Sequence, residues 1–311
     1  MNVFYGLDNL PLFKNAVVTI GTFDGVHLGH KVIINRLRQK AAQINGETVI
    51  ITFEPHPRFV ISSARQSILL LNTLDEKISN LKEEGIENLV IVNFTREFAA
   101  MEAADYVEKF LVGKFHPHTV IIGYDHLFGK ERKGNFQLLE KMKGQFHFEL
   151  EEIPMQIIEQ NKISSTQIRE ALKTGDVEQA AKYLGKSYSI EGKVVEGRKK
   201  GREIGYPTAN IRIADEHKLI PANGVYAVYV LINGTEYGGM MNVGTNPTFT
   251  GSEEIHAEVN IFEFEEDIYG EMIKIIFVKR LRDELKFDSV QELIKAIDND
   301  KVNALPILKK G

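Results

Sequence analysis

His27 and His30 stand three positions apart in the decapeptide GTFDGVHLGH, which runs from Gly21 to His30. Imidazole N–H groups in such a place can donate to phosphate oxygens on which charge builds in a transition state. The run before them, Ala16–Ile20, is short, apolar and β-branched, and after them Ile33, Leu37, Ala41 and Ile44 recur at helical spacing. The decapeptide is therefore predicted as a strand-to-helix turn. The N–H groups and positive dipole end of a helix start suit a phosphate, and Gly25 and Gly29 leave room for close approach. Residue types alone specify an anion site at a helix start, and a lone histidine there is more often a cap or a surface residue.

A second group of candidates follows in the chain. Thr208 and Asn210, in Gly201–Asn210 (GREIGYPTAN), offer neutral oxygens two residues apart. On a strand these point to one face, and they suit Mg²⁺, which completes its shell with water and substrate phosphates. Gly201, Gly205 and Pro207 shape the loop before them. Arg198, Lys199 and Lys200 form a basic run that by itself reads as solvated surface. Glu258 lies in the alternating stretch His256–Asn260, where an acidic residue is ordinarily the wet face of a strand. A positioned carboxylate is also suited to take a proton.

The elements that must hold these groups change character along the chain. In the first half, Val49–Phe53, Leu89–Val92 and Val120–Ile122 are continuous apolar runs, as in strands buried on both faces. Helical patterns over Leu74–Gly85 and Ala103–Val112 lie between them, so the alternation predicts a parallel, Rossmann-like α/β sheet with ligands at the strands' carboxyl ends. From Tyr188 onward short alternating runs take over. Tyr226–Ile232 and Glu236–Val243 flank Asn233-Gly234, a tight-hairpin signal. Ile255–Phe262 and Ile273–Val278 supply further strands, and Ser289 with Glu292 makes a capping-box pattern before a final helix. The expectation is an α/β domain over 1–185 and a small antiparallel β-barrel with a terminal helix over 186–311.

Composition narrows the function classes. The 311 residues are 43% hydrophobic, with no cysteine and a formal net charge of −5. Disulfides, thiolate nucleophiles and cysteine-bound zinc are excluded, which suits a cytoplasmic protein. No global field attracts nucleic acid. The first residues lack the features of a signal peptide, and no apolar run reaches the ~20 residues of a membrane span.

Taken whole, the decapeptide resembles the signature of the HxGH nucleotidyltransferases, and Ser164-Ser165-Thr166-Gln167-Ile168-Arg169 is similar to their second signature. GYPTAN, Gly224–Val228, Asn242–Phe249, Asp267–Gly270 and Leu281–Phe287 resemble the riboflavin kinase module. Together, over nearly the whole chain, they resemble the prokaryotic bifunctional riboflavin kinase/FMN adenylyltransferases. The resemblance implies that the C-terminal module phosphorylates riboflavin to FMN with Mg²⁺ and ATP, releasing ADP. The N-terminal module then adenylylates FMN to FAD. It implies Glu258 as kinase base, and Thr208 and Asn210 at the metal and phosphates, with Gly201, Gly205, Pro207 and Asn242 in the kinase site. His27 and His30 fall at the adenylylated phosphate, with Gly21, Phe23, Asp24 and Gly29 around the nucleotide. Ser164, Ser165, Thr166 and Arg169 fall on the triphosphate, and Asp125 in a loop of the adenylylation site. His56, between Pro55 and Pro57, matches a loop near the flavin, and the residues read equally well as a rigid turn. Two departures stand out: many relatives have histidine at the position of Asn260 and an aromatic residue at that of His126. Retention of a single activity, or a flavin-binding regulator without catalysis, are the alternatives, the second disfavoured by the complete catalytic set.

Overall fold

The computed structural model describes residues 1–61, 68–154, 163–197, 201, 204–247 and 253–309. The basic run Arg198–Lys200, Arg202 and the Thr248–Phe249 end of one motif lie outside them. The chain divides into two compact units, Met1–Ser165 and Thr166–Gly311.

The first unit is a six-stranded sheet of β1 (Asn2–Tyr5), β2 (Val17–Ile20), β3 (Thr48–Glu54), β4 (Asn88–Asn93), β5 (Thr119–Gly123) and β6 (Glu149–Ile153), in the order β1-β4-β3-β2-β5-β6. Every pairing is parallel. The central strands are buried on both faces, as their apolar runs require. One face packs Phe53, Phe94, Phe110 and Phe128; the other packs Ile34, Leu37, Leu81 and Ile121. The strand order reverses between β2 and β5, so the loops after these two strands flank the crevice where such sheets bind ligands.

The helix after β2 is α1 (Leu28–Ile44), and α2 (Leu74–Glu83) starts at a Thr73–Glu76 capping box. The predicted helix from Ala103 runs on to residue 115, with a π-helical middle at Tyr106–Val112. Neither edge strand was foreseen. β6 reads ELEEI and its glutamates meet α1, with Glu149 on Lys40 and Glu151 on Arg36. A search for apolar runs passes over such strands.

The second unit begins with α3 (Ser165–Lys173, counted from Thr166) and α4 (Val177–Leu184). It continues into β7 (Ser189–Val195), β8 (Ala209–Arg212), β9 (Gly224–Ile232), β10 (Thr235–Pro247), β11 (Glu253–Ile261) and β12 (Met272–Arg282). These close into a barrel in the order β10-β11-β8-β7-β12-β9, every pairing antiparallel. Asn233 (φ 48°) and Gly234 (φ 85°) both take the left-handed backbone that a two-residue hairpin demands. The last helix, α5 (Val290–Leu308), lays Ala304 and Leu308 on Ala227, Met240 and Phe262. Its Asp300 forms a buried two-pronged ion pair with Arg282, at 2.8–3.1 Å. The capping box there is half made: Ser289 accepts the Glu292 N–H, but the Glu292 carboxylate accepts from Asp288.

Candidate active sites

The turn after β2 is held in a conformation few residues tolerate. Phe23 (φ 48°), Gly25 (φ 89°) and Val26 (φ 41°) all take left-handed backbone. For a non-glycine residue this costs on the order of 1–3 kcal/mol, and the buried Phe23 and Val26 side chains hold it in place. A Cβ on Gly21 would stand 3.1 Å from the Phe23 ring, so glycine there lets the aromatic fold back. His27 becomes the N-cap of α1, its Nδ1 accepting the His30 N–H at 3.4 Å. In a neutral ring Nε2 then carries the proton. Gly29 clears the space: a Cβ would lie 3.1 Å from the His27 ring.

The two imidazoles stack at 3.8 Å between centroids, with Phe23 at 5.0 Å from His30. Burial above all, then His27 and Lys77, hold His30 well below its ordinary 6.5, so it is neutral at pH 7. Its buried Nδ1 has no hydrogen-bond partner among the described residues. The pair can therefore act through N–H donation at a helix start rather than through a second positive charge.

Around this pair, Asp24 Oδ1 accepts the N–H groups of Leu71 (2.9 Å) and Asn72 (3.2 Å), tying the turn to the chain that leads into α2. Ser165 Oγ donates to the Asp24 carbonyl at 2.9 Å instead of capping α3. Ser164 precedes that helix; Thr166 and the buried Arg169 follow on it, within the second unit. His56 accepts the Arg58 N–H at Nδ1 (3.2 Å) and starts the short helix Pro57–Ile61, as a turn-former does. Asp125 is exposed after β5. Beside it, His126 packs 5.8 Å from Phe128, and its buried Nε2 has no partner among the described residues. Burial draws its pKa down to about 4 against the opposing pull of Asp125.

Lys77 was not foreseen. Its side chain is 5% exposed; burial lowers its pKa while Asp24 and Glu54 oppose the shift. The signal lay in the spacing: Lys77 falls between Leu74 and Leu81 on the apolar stripe of α2, where a charge needs a reason.

In the barrel, Glu258 on β11 stands opposite Asn242 of β10 and Asn210 of β8. The three form a row across the sheet, on the face away from the inward Ala257 and Val259. Thr208 lies just before β8, not in it, and its Oγ1 donates to Glu258 Oε2 at 3.3 Å. Two residues beyond Glu258, the buried Asn260 donates from Nδ2 to the Pro207 carbonyl at 2.7 Å. The row is thus half-buried and next to the buried Asn260, rather than a fully wet strand surface. Gly201 accepts the Tyr206 N–H at 2.8 Å, and Gly205 (φ 86°) turns the loop between them. Gly197 makes room for the row, since a Cβ would come 1.9 Å from the Asn210 amide. Beside Thr208 opens a cleft of about 320 Å³ lined by Pro207, Val259, Phe264, Asp267 and Tyr269.

No group of three His, Cys, Asp or Glu among the described residues is arranged to hold a metal. The Thr208 and Asn210 oxygens beside the Glu258 carboxylate fit an ion that takes its other ligands from phosphates and water.

A parallel α/β unit with a histidine pair at its switch point, followed by a barrel with a carboxylate–hydroxyl row, defines a two-module class of nucleotide-handling protein. A family model for FAD synthetase matches residues 11–167, and one for riboflavin kinase matches 184–308. The chain is 38% identical to the bifunctional riboflavin kinase/FMN adenylyltransferase of Listeria monocytogenes, over 92% of this chain and 90% of that one. It is 38% identical to the protein of that name from Haemophilus influenzae (96% and 97%) and 34% to that of Escherichia coli K12 (98% and 97%). The chain belongs to the family of bifunctional riboflavin kinase/FMN adenylyltransferases. A crystal structure described as a macrolide-efflux protein from Streptococcus pneumoniae shares the fold, with TM-score 0.88 and 34% identity over 96% of this chain and 97% of that one. Among the described residues no helix is long and apolar enough to cross a membrane.

Proposed function

We propose that residues 1–185 and 186–311 perform successive steps of FAD synthesis, each stretch with its own ATP and its own side chains. The chain is a bifunctional enzyme, a riboflavin kinase and an FMN adenylyltransferase. We assign the kinase step to 186–311 and the adenylyl transfer to 1–185.

In the kinase step, Glu258 takes the proton of the ribityl 5′-hydroxyl of riboflavin as that oxygen attacks the γ-phosphorus of ATP. The bond to the bridging oxygen breaks, giving FMN and ADP. Thr208 and Asn210 hold the phosphates and Mg²⁺, while Gly201, Gly205, Pro207 and Asn242 shape the pocket. When bound, the ion offsets charge on the phosphate oxygens. In the second step, the FMN phosphate attacks the α-phosphorus of ATP and pyrophosphate leaves with its bond electrons. His27 and His30 donate to the oxygens that gain charge. Ser164, Ser165, Thr166 and Arg169 take the triphosphate, the arginine through its planar fork. Gly21, Phe23, Asp24 and Gly29 form the wall of that site, with Asp125 in an adjoining loop and His56 in the turn assigned to the flavin side. Positioning and charge stabilisation suffice for both transfers, with no covalent enzyme intermediate. A cysteine-free chain that consumes ATP is assigned to the cytoplasm.

The observation that carries this reading is that each matched segment folds round its own polar set, His27–His30 in one and Thr208–Asn210–Glu258 in the other. The test is to incubate the protein with riboflavin, ATP and Mg²⁺ and separate the flavins by chromatography. FAD is expected. FMN alone would mean a kinase only, and no product would mean a binding protein.

A further inference from the structure

We propose that Asn260 is a positioning residue of the kinase site, which sets where Thr208 stands relative to Glu258. The inference rests on the assignment of Glu258 and Thr208 above. Glu258 and Asn260 are two residues apart on β11 and share a face of the barrel. From that face they hold consecutive residues of one loop. Glu258 accepts the Thr208 hydroxyl at 3.3 Å, and the Asn260 amide donates to the Pro207 carbonyl at 2.7 Å.

The second contact is the shorter and the more buried, with Asn260 only 8% exposed. It also sits where the loop needs an anchor. Thr208 precedes the first residue of β8 and so lies outside the strand that pairs with β11. Proline has no N–H, so the carbonyl is the one backbone hydrogen-bonding group that Pro207 itself offers. Asn260 is thus a peg under the residue next to the one that would meet the ion and the phosphates. It touches neither reacting atom.

Loss of the peg should loosen nucleotide and ion binding more than flavin binding. In Asn260→Leu, of similar size but with no donor, the kinase KM for Mg-ATP and the half-saturating Mg²⁺ should each rise about tenfold, as loss of one buried hydrogen bond implies. The KM for riboflavin and the conversion of supplied FMN to FAD should stay within about twofold of the parent, within the reach of ordinary surface-scale perturbation. Asn260→His keeps an N–H on a side chain of comparable reach and should recover most of the Mg-ATP affinity. Asn260→Ser, too short to reach Pro207, should behave as the leucine variant and serves in its place if that variant folds poorly. Unchanged Mg-ATP and Mg²⁺ dependence in the leucine and serine variants would overturn the proposal, as would equal losses in the histidine variant. Glu258→Gln separates this from the reading beneath it. If that variant keeps full kinase activity, the site assignment itself fails. If it is inactive while Asn260→Leu is normal, only the role of Asn260 fails.

Discussion

His126 carries a measurable acid liability. Its pKa in the folded protein is about 4 against an ordinary 6.5. As pH falls below 6.5 the unfolded chain takes up a proton that the folded chain refuses, so stability drains between pH 6.5 and about 4. Each unit of that window is worth at most about 1.4 kcal/mol. Chemical denaturation at pH 7.5 and 5 should show a smaller loss in His126→Phe than in the parent; His30, also held down by burial, keeps the remainder. An equal loss in both proteins would contradict the assignment. Lys77→Met tests a different burial. Taking that ammonium away leaves Asp24 and Glu54 without it, and the expected cost is about 3 kcal/mol by denaturant titration. Legibility in the sequence differs from residue to residue at this scale. His27, His30 and Glu258 stand in motifs with enough neighbours to be picked out. Lys77 and Asn260 act through partners far away in the chain, and only folding brings Asp24 or Pro207 beside them.

Glycines and one ion pair decide how well the elements hold those residues. Gly29→Ala puts a methyl 3.1 Å from the His27 ring, which must give by a few tenths of an ångström and so loses its alignment over the first turn of α1. FMN adenylylation should fall about 10²-fold, the scale of losing one aligned donor, with kinase activity unchanged. A fall in both activities would point to misfolding instead. Between barrel and final helix, Asp300→Ala would strip Arg282 of its two-pronged partner and cost about 3 kcal/mol, read as a lower denaturation midpoint. The central strands, the hairpin at Asn233-Gly234 and the final helix were legible because their patterns are local. The edge strand β6 was not, since its glutamates are matched by Arg36 and Lys40 on a helix over a hundred residues earlier. The half-made capping box at Ser289 likewise depends on which N–H the Glu292 carboxylate meets, and spacing does not settle that.

For the molecule as a whole, the two proposed chemistries are separable. His27 and His30 lie within one matched segment, and Thr208, Asn210 and Glu258 within the other; in the proposed sequence FMN is the product of one step and the substrate of the other. The decisive measurement is flavin chromatography on two full-length variants, His27→Ala with His30→Ala, and Glu258→Gln. With riboflavin, ATP and Mg²⁺, the double histidine variant should accumulate FMN and make no FAD. Glu258→Gln should leave riboflavin unconverted, yet turn supplied FMN into FAD at the parental rate. Loss of both steps in either variant, with the protein still folded, would contradict one site per step.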